Sequence, residues 1–318
     1  MSQRPSPFSG YNIPSDRFSF YMRGDGARLR YAIFEPPQAP RGTLLIAEGR
    51  REFIEKKYIE VGIDLLARGF KVILFDWRGQ GLSSRFLQGD RHQRDHAANL
   101  DIHIDDLRAF HGDVVRPLRS GPLLLFGHSL GALIAANWLA RYPEHMADFK
   151  ALLLTSPAFA IGVPSFSRAL SHVLAQVGIS ERYAVGQHDY NDRDRKFLYN
   201  VLSQDPVRFA VIEKYFDANP DFAVGGVTWG WLATALEFIE NLRKPGRLER
   251  LTLPTLALFG GRDIVIPPVK VIPLIRRMPN AEAVLIPGAL HDLMNESDRY
   301  RNEAWRHIDL FLERVIRG

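Results

Sequence analysis

Six short, largely apolar runs constrain this chain more than any other feature. They are "GTLLIAEG" from Gly42, "FKVILFDW" from Phe70, "PLLLFGHS" from Pro122, "KALLLTSP" from Lys150, "LPTLALFGG" from Leu253 and "AEAVLIPG" from Ala281. Each is too short for a packed helix, and most are apolar without alternation. Strands buried on both faces read this way. Segments with helical periodicity separate them: "YIEVGIDLLARG", "LDIHIDDLRAFHGDVV", "LGALIAANWLARYP" and "VKVIPLIRRMP". In the first, Tyr58, Val61, Leu65 and Leu66 share one face, and Gly69 ends it. Strand and helix in alternation make βαβ units, so the chain is expected to be α/β, a mostly parallel sheet with helices on both faces. Upstream, "RFSFYMRGDGARLRYAIFE" reads as a hairpin around a Gly-Asp-Gly turn, placing antiparallel strands at one edge. A final helix after Ser297 is expected to bury Trp305, Ile308, Leu312 and Val315. The first dozen residues are polar and Pro-rich and read as a loose lead-in.

The alternation stops between Phe159 and Arg247. Aromatic residues crowd that stretch, among them Phe166, Tyr183, Tyr190, Phe209, Phe216, Trp229 and Trp231. At 318 residues the chain suits one α/β domain of about 200–250 residues carrying an insertion. The expected division is a core in two parts, 1–158 and 248–318, around a mostly helical cap at 159–247.

Strand and helix place the motif "GHSLG" on a sharp turn with Ser129 at its apex. Such a turn lifts the hydroxyl clear of the sheet at the carboxyl end of a strand. A serine hydroxyl is a poor nucleophile unaided; it needs a base, and the base needs an orienting acid. Asp263 follows the strand "LALFGG", and His291 follows the next strand. Both stand in the order Ser, Asp, His that this topology demands. Asp292 adjoins His291 but is expected to point elsewhere, and His128 is expected to serve packing. Two backbone N–H groups should face a developing oxyanion: that of Leu130, after the serine, and that of Arg50, after the strand "GTLLIAEG". Aromatic residues above the serine suggest an apolar substrate, with Phe159, Trp229 and Trp231 as candidates for its binding.

Other classes fit poorly. There is no cysteine, which removes disulfides, thiolate metal sites and a cysteine nucleophile. The net charge of +5 is spread without a basic block, so nucleic acid is not an expected partner. His92 and His96 stand four apart in "HQRDH", but no glutamate completes a zinc pattern, and no metal is expected. No apolar stretch is long enough to span a bilayer, and no signal-peptide core follows Arg4, so a cytoplasmic protein with at most peripheral membrane contact is expected.

These residues resemble the α/β-hydrolase superfamily, and within it the monoacylglycerol lipase and lysophospholipase-like branch. The resemblance runs through "EGRREFIEKKY" (Gly49, Arg50, Glu52), "FDWRGQGLSS" (Asp76, Arg78, Gly79, Gly81, Ser83), "GHSLG" and "HDLMNE". "DRKFLYNVLSQDP" and "ANPDFAVGGVTWGWL" are similar to the cap of lysophospholipase L2-type proteins. The resemblance implies ester hydrolysis through an acyl-enzyme without metal or organic cofactor. The partner would be a small-molecule ester or lipid with a medium to long acyl chain. Asp76 and Arg78 would fix a loop near the site. Two departures stand out: Glu48 precedes Gly49 where many relatives have histidine, and Val227 replaces a proline. An aminopeptidase or amidase on the same triad, with Glu213 or Asp221 holding a substrate amine, is the alternative chemistry. A non-catalytic ligand-binding protein of the same fold is the alternative class.

Overall fold

The computed structural model describes residues 17–162, 171, 173–174 and 178–317, with residues 57–59 described by their backbone alone. The polar lead-in, Phe166 and the Tyr58 side chain lie outside the described residues.

Eight strands form one sheet in the order β1-β2-β4-β3-β5-β6-β7-β8. The opening hairpin pairs β1 (Phe18–Met22) with β2 (Arg28–Phe34), and β2 runs antiparallel to both its neighbours. The rest is parallel: β4 (Phe70–Phe75), β3 (Gly42–Ala47), β5 (Leu123–His128), β6 (Ala151–Thr155), β7 (Thr255–Gly260) and β8 (Ala281–Ile286). All six apolar runs are therefore strands of one sheet.

Why the first five had to be largely apolar is visible in the two cores, whereas β8, at the sheet edge, is only partly buried. Leu45, Ile73, Leu125, Leu154 and Ala257 pack on one face. Their sequence neighbours Leu44, Val72, Leu124, Leu153 and Leu256 pack on the other. The first face is covered by α2 (Asp101–Phe110), α3 (Leu130–Arg141) and α6 (Pro268–Ile275). The second is covered by α1 (Ile59–Ala67) and α7 (Asp298–Arg317), which buries Trp305, Ile308, Leu312 and Val315. A strand between two helical layers has no polar face to offer.

Between β6 and β7 the described residues add no strand to the sheet. They contribute α4 (Pro206–Ala218), α5 (Trp229–Arg243) and short turns. Asp205 caps α4 by accepting the N–H groups of Val207 and Arg208, and Thr228 caps α5 by accepting that of Trp231. Helix α5 joins the first core through Phe238, Ile239 and Leu242. None of the helices among the described residues is long and apolar enough to cross a membrane.

Candidate active site

Four loops at the carboxyl ends of β3, β5, β7 and β8 converge. The β5 loop is the tightest. Ser129 has φ +48° and ψ −111°, a region that side chains rarely occupy. The turn closes because its neighbours are glycines. A Cβ on Gly127 would stand 2.7 Å from the Cα of Ala132, and one on Gly131 would stand 2.1 Å from the carbonyl oxygen of Ala47. The Ser129 N–H is tied to the carbonyl of Thr155 at 3.0 Å. Surrounding structure thus holds a strained serine in place, as strained functional residues require.

His291 reaches Ser129 from the β8 loop, with Nε2 3.1 Å from the hydroxyl oxygen. Its Nδ1 lies 2.7 Å from Oδ2 of Asp263. Because the carboxylate only accepts, Nδ1 carries the hydrogen and Nε2 presents its lone pair to Ser129. Asp263 is oriented in turn: its Oδ1 accepts the N–H groups of Val265 and Ile266, both at 2.8 Å. Ser156, which the sequence reading overlooked, donates its hydroxyl to the carbonyl of His291 at 2.6 Å and anchors that loop. Asp263 and His291 are buried, while Ser129 is partly exposed at a cavity floor. A serine nucleophile, a histidine base and an orienting acid would need this arrangement.

The β3 loop lies alongside. Among the described residues the backbone N–H groups of Arg50 and Leu130 donate to no protein acceptor. The loop is held by a network the sequence only hinted at. Glu52 Oε2 accepts the Gly49 N–H at 2.7 Å, Gln80 Oε1 accepts those of Arg51 and Glu52, and Trp77 Nε1 donates to the Glu48 carbonyl at 2.7 Å. Asp76 accepts the N–H groups of Ile54 and Leu82, and Arg78 is paired with Asp106 and Asp25. Both therefore brace loops next to the site.

Glu48 is the unusual member. Its carboxyl is fully buried, and neither oxygen has a hydrogen-bond partner. Burial, reinforced by Asp76, Glu52 and Glu55 and opposed by Arg30, pushes its pKa well above the ordinary glutamate range. Burial also pushes Asp76 up to about 7, against the lowering influence of Arg30.

His128 Nδ1 lies 2.9 Å from the Thr155 hydroxyl and 3.2 Å from the Thr155 carbonyl oxygen, and its Nε2 stands 3.6 Å from Glu52. Its ring lies 5.2 Å from that of His291. The Asp292 backbone N–H bonds the Leu202 carbonyl, and its carboxylate accepts from Asn295. Glu52, His128 and Asp292 bring three ligand-type atoms within 4.8 Å of one another. Elsewhere, His96 bonds Thr228 and His92 bonds the Gly89 carbonyl, so these two face different partners.

A cavity of about 520 Å³ opens above Ser129 and His291. Its apolar wall comes from Leu202, Phe209, Ile212, Phe216, Phe222 and Val224. The three residues expected to bind substrate are not on it. Phe159 is fully buried in the sheet's first core, Trp229 is buried at the start of α5, and Trp231 packs against that core with Arg50 5.8 Å from its ring. The wall instead uses one face of α4, where Phe209, Ile212, Glu213 and Phe216 follow the i, i+3, i+4, i+7 spacing. Glu213 is occupied by the Tyr190 hydroxyl and Arg195, both at 2.8 Å, and Asp221 does not line the cavity.

The family model described as serine aminopeptidase, S33, matches residues 38–298. The lysophospholipase L2 of Escherichia coli is 29% identical over 309 residues, covering 91% of this chain and 85% of that protein. The monoacylglycerol lipase of Mycolicibacterium smegmatis is 27% identical over 279 residues, covering 86% of this chain and 89% of that one. Among solved structures, a soluble variant of the Saccharomyces cerevisiae monoglyceride lipase superposes with a TM-score of 0.74 at 19% identity. That superposition covers 98% of this chain and 99% of that one.

Proposed function

The chain belongs to the serine aminopeptidase S33 family, with an α/β-hydrolase fold, and from that premise we propose that it cleaves carboxylic esters of lipids through an acyl-enzyme on Ser129. The observation that carries the reading is His291, 3.1 Å from Ser129 on one side and 2.7 Å from Asp263 on the other. In the first half-reaction Ser129 Oγ attacks the ester carbonyl carbon while its proton passes to His291 Nε2. The negative charge that develops on the carbonyl oxygen is met by the N–H groups of Arg50 and Leu130. Asp263 stabilises the imidazolium and keeps Nδ1 protonated. Collapse expels the alcohol, which takes the proton from His291. In the second half-reaction water attacks the acyl-serine, with His291 again as base, and the carboxylic acid leaves. These steps draw only on side chains and N–H groups of the chain itself.

Substrate choice follows from the cavity. The face of α4 that lines it offers Phe209, Ile212 and Phe216 to a hydrocarbon. Each buried methylene is worth about 0.8 kcal/mol, which favours a medium to long acyl chain. Lysophospholipids and monoacylglycerols supply such chains, in keeping with the names of the two relatives above. Glu213 is engaged by Tyr190 and Arg195, so it does not stand ready for the substrate amine that a peptidase would hold. Peripheral contact with a lipid surface belongs to the same reading, because Leu198 and Val185 are exposed next to the cavity-lining Tyr199 and Gly186.

The test is a panel of acetyl, octanoyl and palmitoyl esters assayed on the wild type and Ser129→Ala. Turnover rising with chain length in the wild type and absent in the variant is expected. Preference for acetyl over every longer chain, or full activity in Ser129→Ala, would contradict the proposal.

A further inference from the structure

We propose that the cavity selects esters with a phosphodiester headgroup, the phosphate being held by the guanidinium groups of Arg51 and Arg193 with Lys56 beside them. This rests on the ester-hydrolase reading above and decides between its two substrate classes.

Arg51 directly follows Arg50, whose N–H would meet the scissile carbonyl. Its backbone lies at φ +61°, in the left-handed region. That conformation costs a non-glycine residue roughly 1–2 kcal/mol, and glycine would occupy it without strain. The turn is nevertheless pinned from both sides. Gln80 accepts the Arg51 N–H, and Lys56 Nζ donates to the Arg51 carbonyl at 2.8 Å. An arginine kept where the backbone disfavours a side chain points to a use for the side chain, and this one lines the cavity.

The basic residues of the cavity wall divide by commitment. Arg50 is paired with Asp95, and Arg208 with Glu60, Asp205 and Asp298. Arg51 has a single carboxylate contact, Asp194 at 3.6 Å, well beyond a charge-assisted hydrogen bond. Arg193 has no carboxylate partner among the described residues, and its guanidinium lies 4.7 Å from the Tyr199 ring centroid. Tyr190 likewise lies under Arg51 at 5.3 Å. Both cations are thus supported by aromatic rings, and neither makes a charge-assisted hydrogen bond to a carboxylate among the described residues. Of the wall's acids, Glu52 holds the Gly49 N–H, Glu213 is engaged by Tyr190 and Arg195, and Asp292 accepts from Asn295; Asp194, which accepts the Asn191 N–H, is the carboxylate nearest Arg51 and the group a phosphate would displace from it.

The position suits a glycerophospholipid with one acyl chain. With the carbonyl at Arg50 and the chain along α4, the glycerol carries its phosphate past the neighbouring Arg51. A monoacylglycerol brings no charge to these cations and leaves the Asp194 contact as it is.

The experiment compares kcat/KM for a lysophosphatidylethanolamine and a monoacylglycerol bearing the same acyl chain, in the wild type, Arg51→Gly and Arg193→Ala. Arg51→Gly removes the guanidinium while relieving the strained φ, so the fold is spared. The ratio within each variant cancels changes to acyl transfer. Wild type is expected to favour the phospholipid, and each variant to lower the ratio at least tenfold, mostly through KM. A ratio unmoved in both variants overturns the proposal while leaving ester hydrolysis standing. Wild type inactive on both lipids overturns the two together. Glycerophosphoethanolamine should compete in the wild type and lose potency in Arg51→Gly. Inorganic phosphate inhibiting equally well would assign the pair to a bare ion and overturn the headgroup site.

Discussion

Glu52 accepts the backbone N–H of Gly49 at 2.7 Å, closing a short turn around Arg50. The same carboxylate lies 3.6 Å from His128, whose ring packs beside that of His291. One side chain therefore ties the loop that carries Arg50 to the turn that carries Ser129. Glu52→Ala should lower kcat on the order of 10- to 100-fold with KM little changed, the signature of a group acting on transition-state donors. Glu52→Gln retains an acceptor oxygen and should recover most of that loss. Steady-state kinetics on one ester for the three proteins checks both expectations.

Glu48 makes stability fall as pH rises. Its folded pKa lies well above the ordinary range, chiefly through burial, whereas in the unfolded chain it titrates near about 4.3. Between those values the folded state holds a proton that the unfolded state has lost. Stability therefore falls as pH rises through this window, by up to about 1.4 kcal/mol per pH unit for one such group. Asp76, raised to about 7, adds to the same trend. Glu48→Gln, neutral at every pH, should flatten the decline; urea unfolding at pH 5 and pH 8 measures it.

His111 acts in the opposite sense. It is fully buried, with neither ring nitrogen hydrogen-bonded, between Trp138 at 5.3 Å and Phe149 at 5.1 Å, and Asp148 stands 3.8 Å from Nε2. Burial pushes its pKa down to about 4, and does the same to His103. An unfolded histidine titrates near about 6.5, so stability falls as pH drops from there toward 4. His111→Phe keeps an aromatic ring in the slot and should reduce that acid slope, leaving the part due to His103. Thermal melts between pH 4 and pH 7 report it.

What the sequence revealed and what it hid separate along physical lines. Five strands buried between two helical layers had to be almost wholly apolar and so were legible, and the half-exposed edge strand β8 kept enough apolar residues to be read with them, as did the face of α7 around Trp305 and Ile308. Ser129, Asp263 and His291 each follow the end of one of these strands, and their order alone suggested the contacts that the structure gives them. The cavity wall was not legible in this way. Phe159 and Trp231 were conspicuous as aromatics, yet Phe159 fills the core and Trp231 packs against it. Aromatic identity does not say which side of a helix faces a cavity. The informative signal was the spacing of Phe209, Ile212, Glu213 and Phe216 on α4, a stripe with a charge in it. Ser156 and Gln80 act across distant loops, so only the folded chain reveals them.

The most direct test of the account is the site of covalent modification by a fluorophosphonate ester, mapped by peptide mass spectrometry. One adduct is expected, on Ser129, absent from Ser129→Ala and formed on the order of 10³- to 10⁴-fold more slowly in Asp263→Asn, where His291 loses its orienting acid. An adduct on a different serine, or labelling of Ser129→Ala at the wild-type rate, would contradict the central claim that Ser129 is the nucleophile.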